Sequence, residues 1–195
     1  MQFLSIGLFA GLIGLTTGCS IPGGPTQVVK KPYFELEKKV RELIPLLAEL
    51  NPEVDKTIVM SGQVENKILQ LDSAGWVKEL EIFAQADINR PVLRDSYETE
   101  MTTEGAWQVV IYKNKNPEAN GIVYLKIYSS DEFVGKIEVL HREENVLYYS
   151  ERILEMEFGQ PNVNILNSYA IKGKQKLPLQ DTVAFEIHGR LSYLN

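Results

Sequence analysis

Two stretches in the first half of the chain carry apolar residues at every third or fourth position. In the first, from about Tyr33 to Leu50, charged residues fill the opposite side, and this pattern predicts an amphipathic helix packed on a core. Pro45 lies inside this stretch, so we expect the helix to kink or to divide there, because proline lacks the amide donor. The second stretch begins after Asp72, a residue type that caps helix N-termini, and it stops before Pro91.

Strand-like alternation of apolar and polar residues occupies most of the remaining chain. Apolar residues at even spacing predict one strand from about Thr57 to Leu71, in which Gly62 marks a bulge or a bend. From about Arg94 onward the apolar period is two, which indicates half-buried sheet. Short segments rich in turn-forming residues separate these strands, at 116–121, 129–131, 142–145, 159–162 and 177–181. Connections this short hold no crossover helix, so successive strands are expected to pair antiparallel.

These elements together predict an α+β fold. We expect a twisted, half-barrel-like antiparallel sheet of about seven or eight strands in meander order, with the two helices packed on its apolar face. The alternative is a β-sandwich of two sheets, which would leave the helices outside the main core.

The composition is that of an ordinary globular domain. Of the 195 residues, 44% are hydrophobic and 24% are charged, which is unlike a disordered chain. The formal net charge of −6 argues against a nucleic-acid partner, since such a surface needs a basic patch. A single cysteine, Cys19, leaves no intrachain disulfide, so packing alone must stabilise the fold.

Cys19 closes an N-terminal segment of unusual composition. An uncharged apolar run from Phe3 to Leu15 is followed by Thr-Thr-Gly-Cys-Ser at positions 16–20. This arrangement resembles a bacterial lipoprotein signal with its lipobox, in which the peptide is cut before the cysteine and its sulfur carries a diacylglycerol. The resemblance implies that residues 1–18 are a signal peptide and that Cys19 is the lipidated residue.

Two other interpretations of this segment stay open. A transmembrane helix needs about 20 consecutive apolar residues, and this run is interrupted at Thr16 and ended by Pro22. Ordinary secretion would leave Cys19 as a free thiol or remove it. The single cysteine favours the lipobox, because a secreted fold has little use for one unpaired thiol.

The resemblance also implies an organisation and a location. Residues 19–32 are the lipidated cysteine and a tether rich in glycine and proline, and residues 33–195 form a single globular domain. Acyl chains on Cys19 would hold this domain at a membrane lipid surface without any folded part entering it. Ser20 stands where inner-membrane retention signals often place aspartate, which implies an outer-membrane lipoprotein facing the periplasm.

Residue patterns typical of catalysis are absent from the sequence. Strand alternation places His141 on the inward face and His188 on the outward face, so the two histidines do not share a site. No zinc-ligand spacing, nucleophile elbow or phosphate-binding glycine loop occurs. Acidic pairs lie where surface charge is expected anyway. We therefore predict a protein that is not an enzyme and has no catalytic residues, no cofactor and no metal.

Three lysines share one side of a predicted strand. Strand period two places Lys172, Lys174 and Lys176 together, and near a bilayer each contributes about 1 kcal/mol through contact with an anionic headgroup. Alternatively, the lysines protect an exposed sheet edge against pairing with other chains.

The sheet region is rich in tyrosine and other aromatic residues, which suits a pocket closed by helices. The order of the elements, with helices first and an antiparallel sheet after them, resembles that of periplasmic half-barrel lipoproteins and lipoprotein carriers. Two functions follow as hypotheses: a membrane-anchored module that binds an apolar or lipid-like ligand between sheet and helices, or a structural or accessory lipoprotein that contacts another cell-envelope protein.

Overall fold

The structure is a computed structural model that describes residues 32–116, 118, 121–130, 133–159, 164–179 and 181–193. The described residues form two α-helices, α1 (Leu36–Leu50) and α2 (Ser73–Gln85), and a short 3-10 turn at Pro91–Leu93. They also form nine strands: β1 (Glu53–Met60), β2 (Gln63–Gln70), β3 (Tyr97–Glu104), β4 (Trp107–Asn114), β5 (Gly121–Ser130), β6 (Phe133–Asn145), β7 (Tyr148–Phe158), β8 (Leu166–Lys176) and β9 (Val183–Ser192).

All nine described strands belong to one antiparallel sheet in the order β2-β1-β9-β8-β7-β6-β5-β4-β3. From β3 to β9 each strand pairs with the next along the chain, as a meander requires. The β1–β2 hairpin extends the sheet beyond β9, so that an early strand pairs with the last one. The predicted α+β class with two helices and antiparallel strands is confirmed, and the sandwich alternative is wrong because all of the described strands belong to a single sheet.

The predicted single strand from Thr57 to Leu71 is wrong, because the chain reverses in its middle. Ser61 and Gly62 form a two-residue turn in which both residues have positive φ, 50° and 81°. Positive φ at both positions is typical of the tight turns that join hairpin strands. Gly62 therefore lies in the turn between β1 and β2, so of the two predicted features it marks a bend and not a bulge.

Two further local predictions need correction. Of the two outcomes predicted at Pro45, division of the helix is wrong, because α1 runs undivided through this residue, and a kink there stays a prediction. Pro45 is exposed, and on that side of the helix water can solvate the carbonyl for which proline provides no donor. Residues 142–145 belong to β6 and not to a turn. The turn begins later because the Asn145 side chain accepts a hydrogen bond from the Leu147 amide, 2.9 Å away.

The core lies between the helices and one face of the sheet, here called the inner face. Helix α2 buries Trp76, Leu80 and Phe83 completely, and α1 buries Leu36 and Leu47 to the same degree. The sheet contributes a matching set of fully or nearly fully buried side chains: Val54, Leu125, Ile137, Val139, Leu154, Met156, Leu166 and Tyr169. The space under the helices is thus largely filled.

The β4 strand buries its apolar residues on the opposite, outer face. Val109 and Ile111 are at most 9% exposed, yet they pair with Tyr128 and Lys126, whose side chains lie on the outer face. These two β4 side chains are therefore buried on the face of the sheet that the helices do not cover.

The segment after α2 fixes the start of α1. Asp87 is only 5% exposed, and its Oδ2 accepts a hydrogen bond from the Glu37 amide at 2.9 Å. Its Oδ1 accepts another from the Asn89 amide at 2.6 Å. Glu35, the residue before α1, makes no side-chain cap. Asp87, from a distant position in the chain, therefore accepts the hydrogen bond from a first-turn amide that a local N-cap residue usually accepts.

Candidate functional site

A cavity of about 270 Å³ lies between the C-terminal end of α2 and the inner face of the sheet. From the α2 side it is lined by Ile82, Gln85, Ala86 and Arg90. From the strand side it is lined by Ile122, His141, Glu143, Arg152 and Leu154. The walls are therefore apolar next to the core and charged toward the strand ends.

Arg152 is the best-positioned charged residue of the cavity. It lies on the inward-facing side of β7, two residues before buried Leu154. Its cross-strand neighbour on β6 is His141. Its Nε donates to Ser150 Oγ at 3.2 Å, and its Nη2 donates to the Tyr148 hydroxyl at 3.3 Å. Described residues thus accept from only two nitrogens of the guanidinium, which carries five N–H donors.

Glu143 connects the polar groups of the cavity. Its Oε2 accepts a hydrogen bond from the Tyr148 hydroxyl at 3.2 Å and lies 3.8 Å from Arg152 Nη2. Its Oε1 lies 3.5 Å from His141 Nε2. The carboxylate therefore neutralises part of the positive charge without closing tightly on the guanidinium.

The protonation state of His141 depends on these neighbours. Burial lowers the pKa of His141, Glu143 raises it, and the positive charges of Arg152 and Arg90 lower it further. The net effect is a pKa below the ordinary value, so the imidazole is neutral at pH 7.

Arg90 brings the second guanidinium to the cavity. Its Nη2 donates to the Gln85 carbonyl at the end of α2, 2.7 Å away, and it has no acidic partner among the residues that the structure describes. Two arginines, one glutamate and a neutral histidine leave one net positive charge, in a chain whose net charge is −6. Such a site suits a small ligand with one negative charge and an apolar part.

The two histidines lie where alternation predicted them. His141 faces the cavity on the inner face, whereas His188 pairs with Ala170 on the outer face. They are therefore not part of one site.

The three lysines of β8 lie on the outer face, and the edge interpretation is wrong because β8 lies between β7 and β9. Lys172 Nζ is 3.1 Å from Glu155 Oε2, and Lys174 Nζ is 3.1 Å from Glu151 Oε1. Lys176 is exposed at the end of the strand. Contact of these three lysines with anionic headgroups stays a prediction, and two of the three already pair with glutamates.

Charges of opposite sign alternate across the outer face from β5 to β8. Lys126 lies 3.4 Å from Glu138, which lies 3.3 Å from Lys136. Lys136 reaches Glu155 at 2.5 Å, and Glu155 in turn pairs with Lys172. This row keeps the face solvated and fixes neighbouring strands in register.

Three glutamates of the outer face, Glu138 and Glu155 of this row and Glu151 beside Lys174, predict a loss of stability in acid. Burial disfavours the ionised forms of Glu138, Glu151 and Glu155, but hydrogen bonds from neighbouring lysine, arginine and tyrosine side chains outweigh it and hold the pKa of each below its usual value. A lowered pKa stabilises the fold above the unfolded pKa of about 4.3, and this contribution disappears as the pH falls through the folded pKa.

We expect the free energy of unfolding, measured in urea, to fall steeply from pH 5 to pH 3. The variant Glu155→Gln removes one of the three carboxylates and should be less stable than the parent at pH 7, with a shallower decline below pH 5. Equal dependence of the unfolding free energy on pH in parent and variant would show that Glu155 does not contribute to acid sensitivity.

Sequence reasoning missed the charged residues of the cavity. The polar run 142–145 predicts a turn at Glu143, and Arg90 lies in a loop that follows α2. The alternation of β7 does contain a signal for Arg152, because this residue falls on the same side of the strand as the apolar residues Leu154, Met156 and Phe158. A charged residue at an inward strand position indicates either a buried ion pair or a site.

The predicted signal peptide and Cys19 lie outside the described residues. Within the described ranges, no helix is both long enough and apolar enough to cross a membrane. Those ranges also contain no group of three or more histidine, cysteine, aspartate or glutamate side chains placed to hold a metal ion.

Comparisons of the chain with protein-family models, with curated proteins and with solved structures found no match.

Proposed function

We propose that the protein is a non-catalytic binding module that holds a small acidic ligand in the cavity between α2 and the sheet. The observation that supports this most strongly is the pair of guanidinium groups, Arg90 and Arg152, that face one cavity with a single carboxylate to balance them. The apolar walls allow the ligand to be amphipathic, in keeping with the lipid-like ligand expected from the sequence.

Binding would follow from the unused donors of the two arginines. A carboxylate entering the cavity accepts hydrogen bonds from Arg152 on the strand side and from Arg90 on the helix side, and charge assistance strengthens such bonds. The carbon atoms next to the carboxylate contact Ile82, Ile122 and Leu154. At about 270 Å³ the cavity is slightly below the usual range of about 300–1,000 Å³ for ligand pockets, so it suits a small group.

A titration with hexanoate tests this proposal. We expect saturable heat of binding in isothermal titration calorimetry, and a loss of affinity of about tenfold or more in Arg152→Met, since each tenfold step is about 1.4 kcal/mol. Arg142→Met is the matched control, because Arg142 pairs with Glu151 on the outer face, one residue from His141. Equal affinities of the two variants, or no binding to the parent, would refute the proposal.

The second candidate is an accessory protein that contacts another envelope protein. Edge strand β2 favours it, because Val64 and Ile68 lie on the same outer face and are 61% and 69% exposed. Exposed apolar residues on a free sheet edge are typical of surfaces that pair with another chain.

We also propose that Cys19 carries the acyl chains that hold the domain at the outer membrane, facing the periplasm. The support is the lipobox-like segment that ends at this cysteine. In fractionated cells the Cys19→Ser variant should leave the membrane fraction for the soluble one. A variant that stays with the membranes would contradict the anchor.

A further inference from the structure

A second space adjoins the arginine cavity. An open groove of about 370 Å³ lies between α1 and α2, without any strand residue in its lining. Its floor is apolar and consists of Val40 and Ile44 from α1 and of Val77 and Ala84 from α2. Val77 is 51% exposed, so the groove is accessible from solvent.

The groove and the cavity meet at two residues. Gln85 and Arg90 line both spaces, and the hydrogen bond from Arg90 Nη2 to the Gln85 carbonyl holds these residues together at the junction. A molecule that extends past Arg90 would leave the charged cavity and lie over the apolar floor of the groove. Together the two volumes fall within the usual range of about 300–1,000 Å³ for ligand pockets.

We infer that the ligand is a single-chain amphiphilic acid, with its carboxylate between Arg90 and Arg152 and its alkyl chain along the groove between α1 and α2. This inference rests on the proposed function and names the class of ligand for the same site. The shape of the apolar surface and the charge of the cavity support it.

The groove offers apolar contact to one chain. Its apolar floor is a strip bounded by charged side chains, Glu37 and Arg41 on α1 and Glu81 on α2. A second acyl chain would lie against these charged groups or in water, which gives it no hydrophobic gain. A single alkyl chain, by contrast, covers side chains such as Val77 that are now exposed to solvent.

The charge of the cavity selects the headgroup. One net positive charge balances a carboxylate, which carries a single negative charge at neutral pH. A phosphate monoester carries nearly two negative charges, and the second one would face the nearby Glu143 carboxylate. We therefore expect an alkyl phosphate to bind more weakly than the carboxylate with the same chain.

The test is a chain-length series of linear carboxylates from butyrate to decanoate, kept below their micelle concentrations and titrated calorimetrically into the protein. We expect the affinity of the parent to rise by about two- to fourfold for each added methylene, because each buried methylene gains hydrophobic free energy. Hexyl phosphate serves as the headgroup comparison for the carboxylate of equal chain length.

Two variants of Val77 separate the groove from the cavity. Val77→Asp, and Val77→Ser in case the charge itself disturbs the fold, should flatten the rise with chain length but leave butyrate affinity unchanged within about twofold. Val64→Asp is the matched control, because Val64 is also exposed but lies on β2, on the other face of the sheet. It should keep the parent's dependence on chain length.

The outcomes distinguish this inference from the proposed function. If short acids bind but chain length has no effect, or if the Val77 variants keep the full rise, the alkyl chain does not lie in the groove and the cavity proposal stands. If hexyl phosphate binds more tightly than the matched carboxylate, the assigned headgroup is wrong. If no acid of any length binds, the proposed function fails as well.

Discussion

Replacement of Gly189 by valine is expected to destabilise the protein by about 3 kcal/mol or more, because overpacking a filled core forces side chains or backbone to move. The ring of Tyr169 lies directly on Gly189, and a Cβ at this position would be 2.2 Å from Tyr169 Cζ. The ring has no room to yield. Its hydroxyl donates to Glu79 Oε1 at 2.5 Å, and the ring packs edge-on against Phe83 with centroids 6.3 Å apart.

Unfolding in urea, followed by tryptophan fluorescence, measures this effect. The smaller change Gly189→Ala should also destabilise the parent but should cost much less in a Tyr169→Ala background, where the ring is absent. Equal costs in both backgrounds would show that the contact between the ring and Gly189 is not the cause.

Replacement of Asp87 by alanine is the second change with a large expected effect. It removes the acceptors of the Glu37 and Asn89 amides, and a buried amide without a partner costs about 1–3 kcal/mol. We expect a loss of about 2–4 kcal/mol in the free energy of unfolding, since two such bonds are lost at a site that is 5% exposed.

Asp72→Ala is the comparison for this effect, measured under the same urea conditions. Asp72 caps α2 through one exposed hydrogen bond from the Gly75 amide, 2.7 Å long, so its loss should cost about 1 kcal/mol. If Asp87→Ala were no more destabilising than Asp72→Ala, Asp87 would not be the residue that fixes the start of α1.

Local patterns predicted those parts of the fold that local physics determines. Both helices follow their apolar spacing, and Asp72 caps α2 as its residue type suggests. Four of the five predicted turn segments begin at or just after the last residues of a strand, although residues 129 and 130 still belong to β5 and several residues of these segments lie outside the described ranges. The turn prediction for residues 142–145 is wrong because it rests on their polar composition, which is typical of turns. Their conformation depends instead on cross-strand pairs such as Arg142 with Glu151, which a local pattern does not contain.

The candidate site was predictable only in part. The alternation of apolar and polar residues along β6 predicts that His141 lies on the inner face. No local pattern relates it to Arg90, which lies about fifty residues earlier in the chain. Their proximity depends on where α2 ends above the sheet. That position is fixed by long-range contacts such as the hydrogen bond from Tyr169 to Glu79, which only the folded structure shows.

The two histidines of the chain allow the most direct test of the central claim, that the cavity between α2 and the sheet binds an acidic ligand. Their imidazole signals should be followed by NMR while hexanoate is added to the protein. We expect the signals of His141 to shift saturably, and its pKa to rise when an anion lies beside it, while the signals of His188 on the outer face stay in place. Equal shifts of both histidines, or no shift of His141 at saturating hexanoate, would contradict the account.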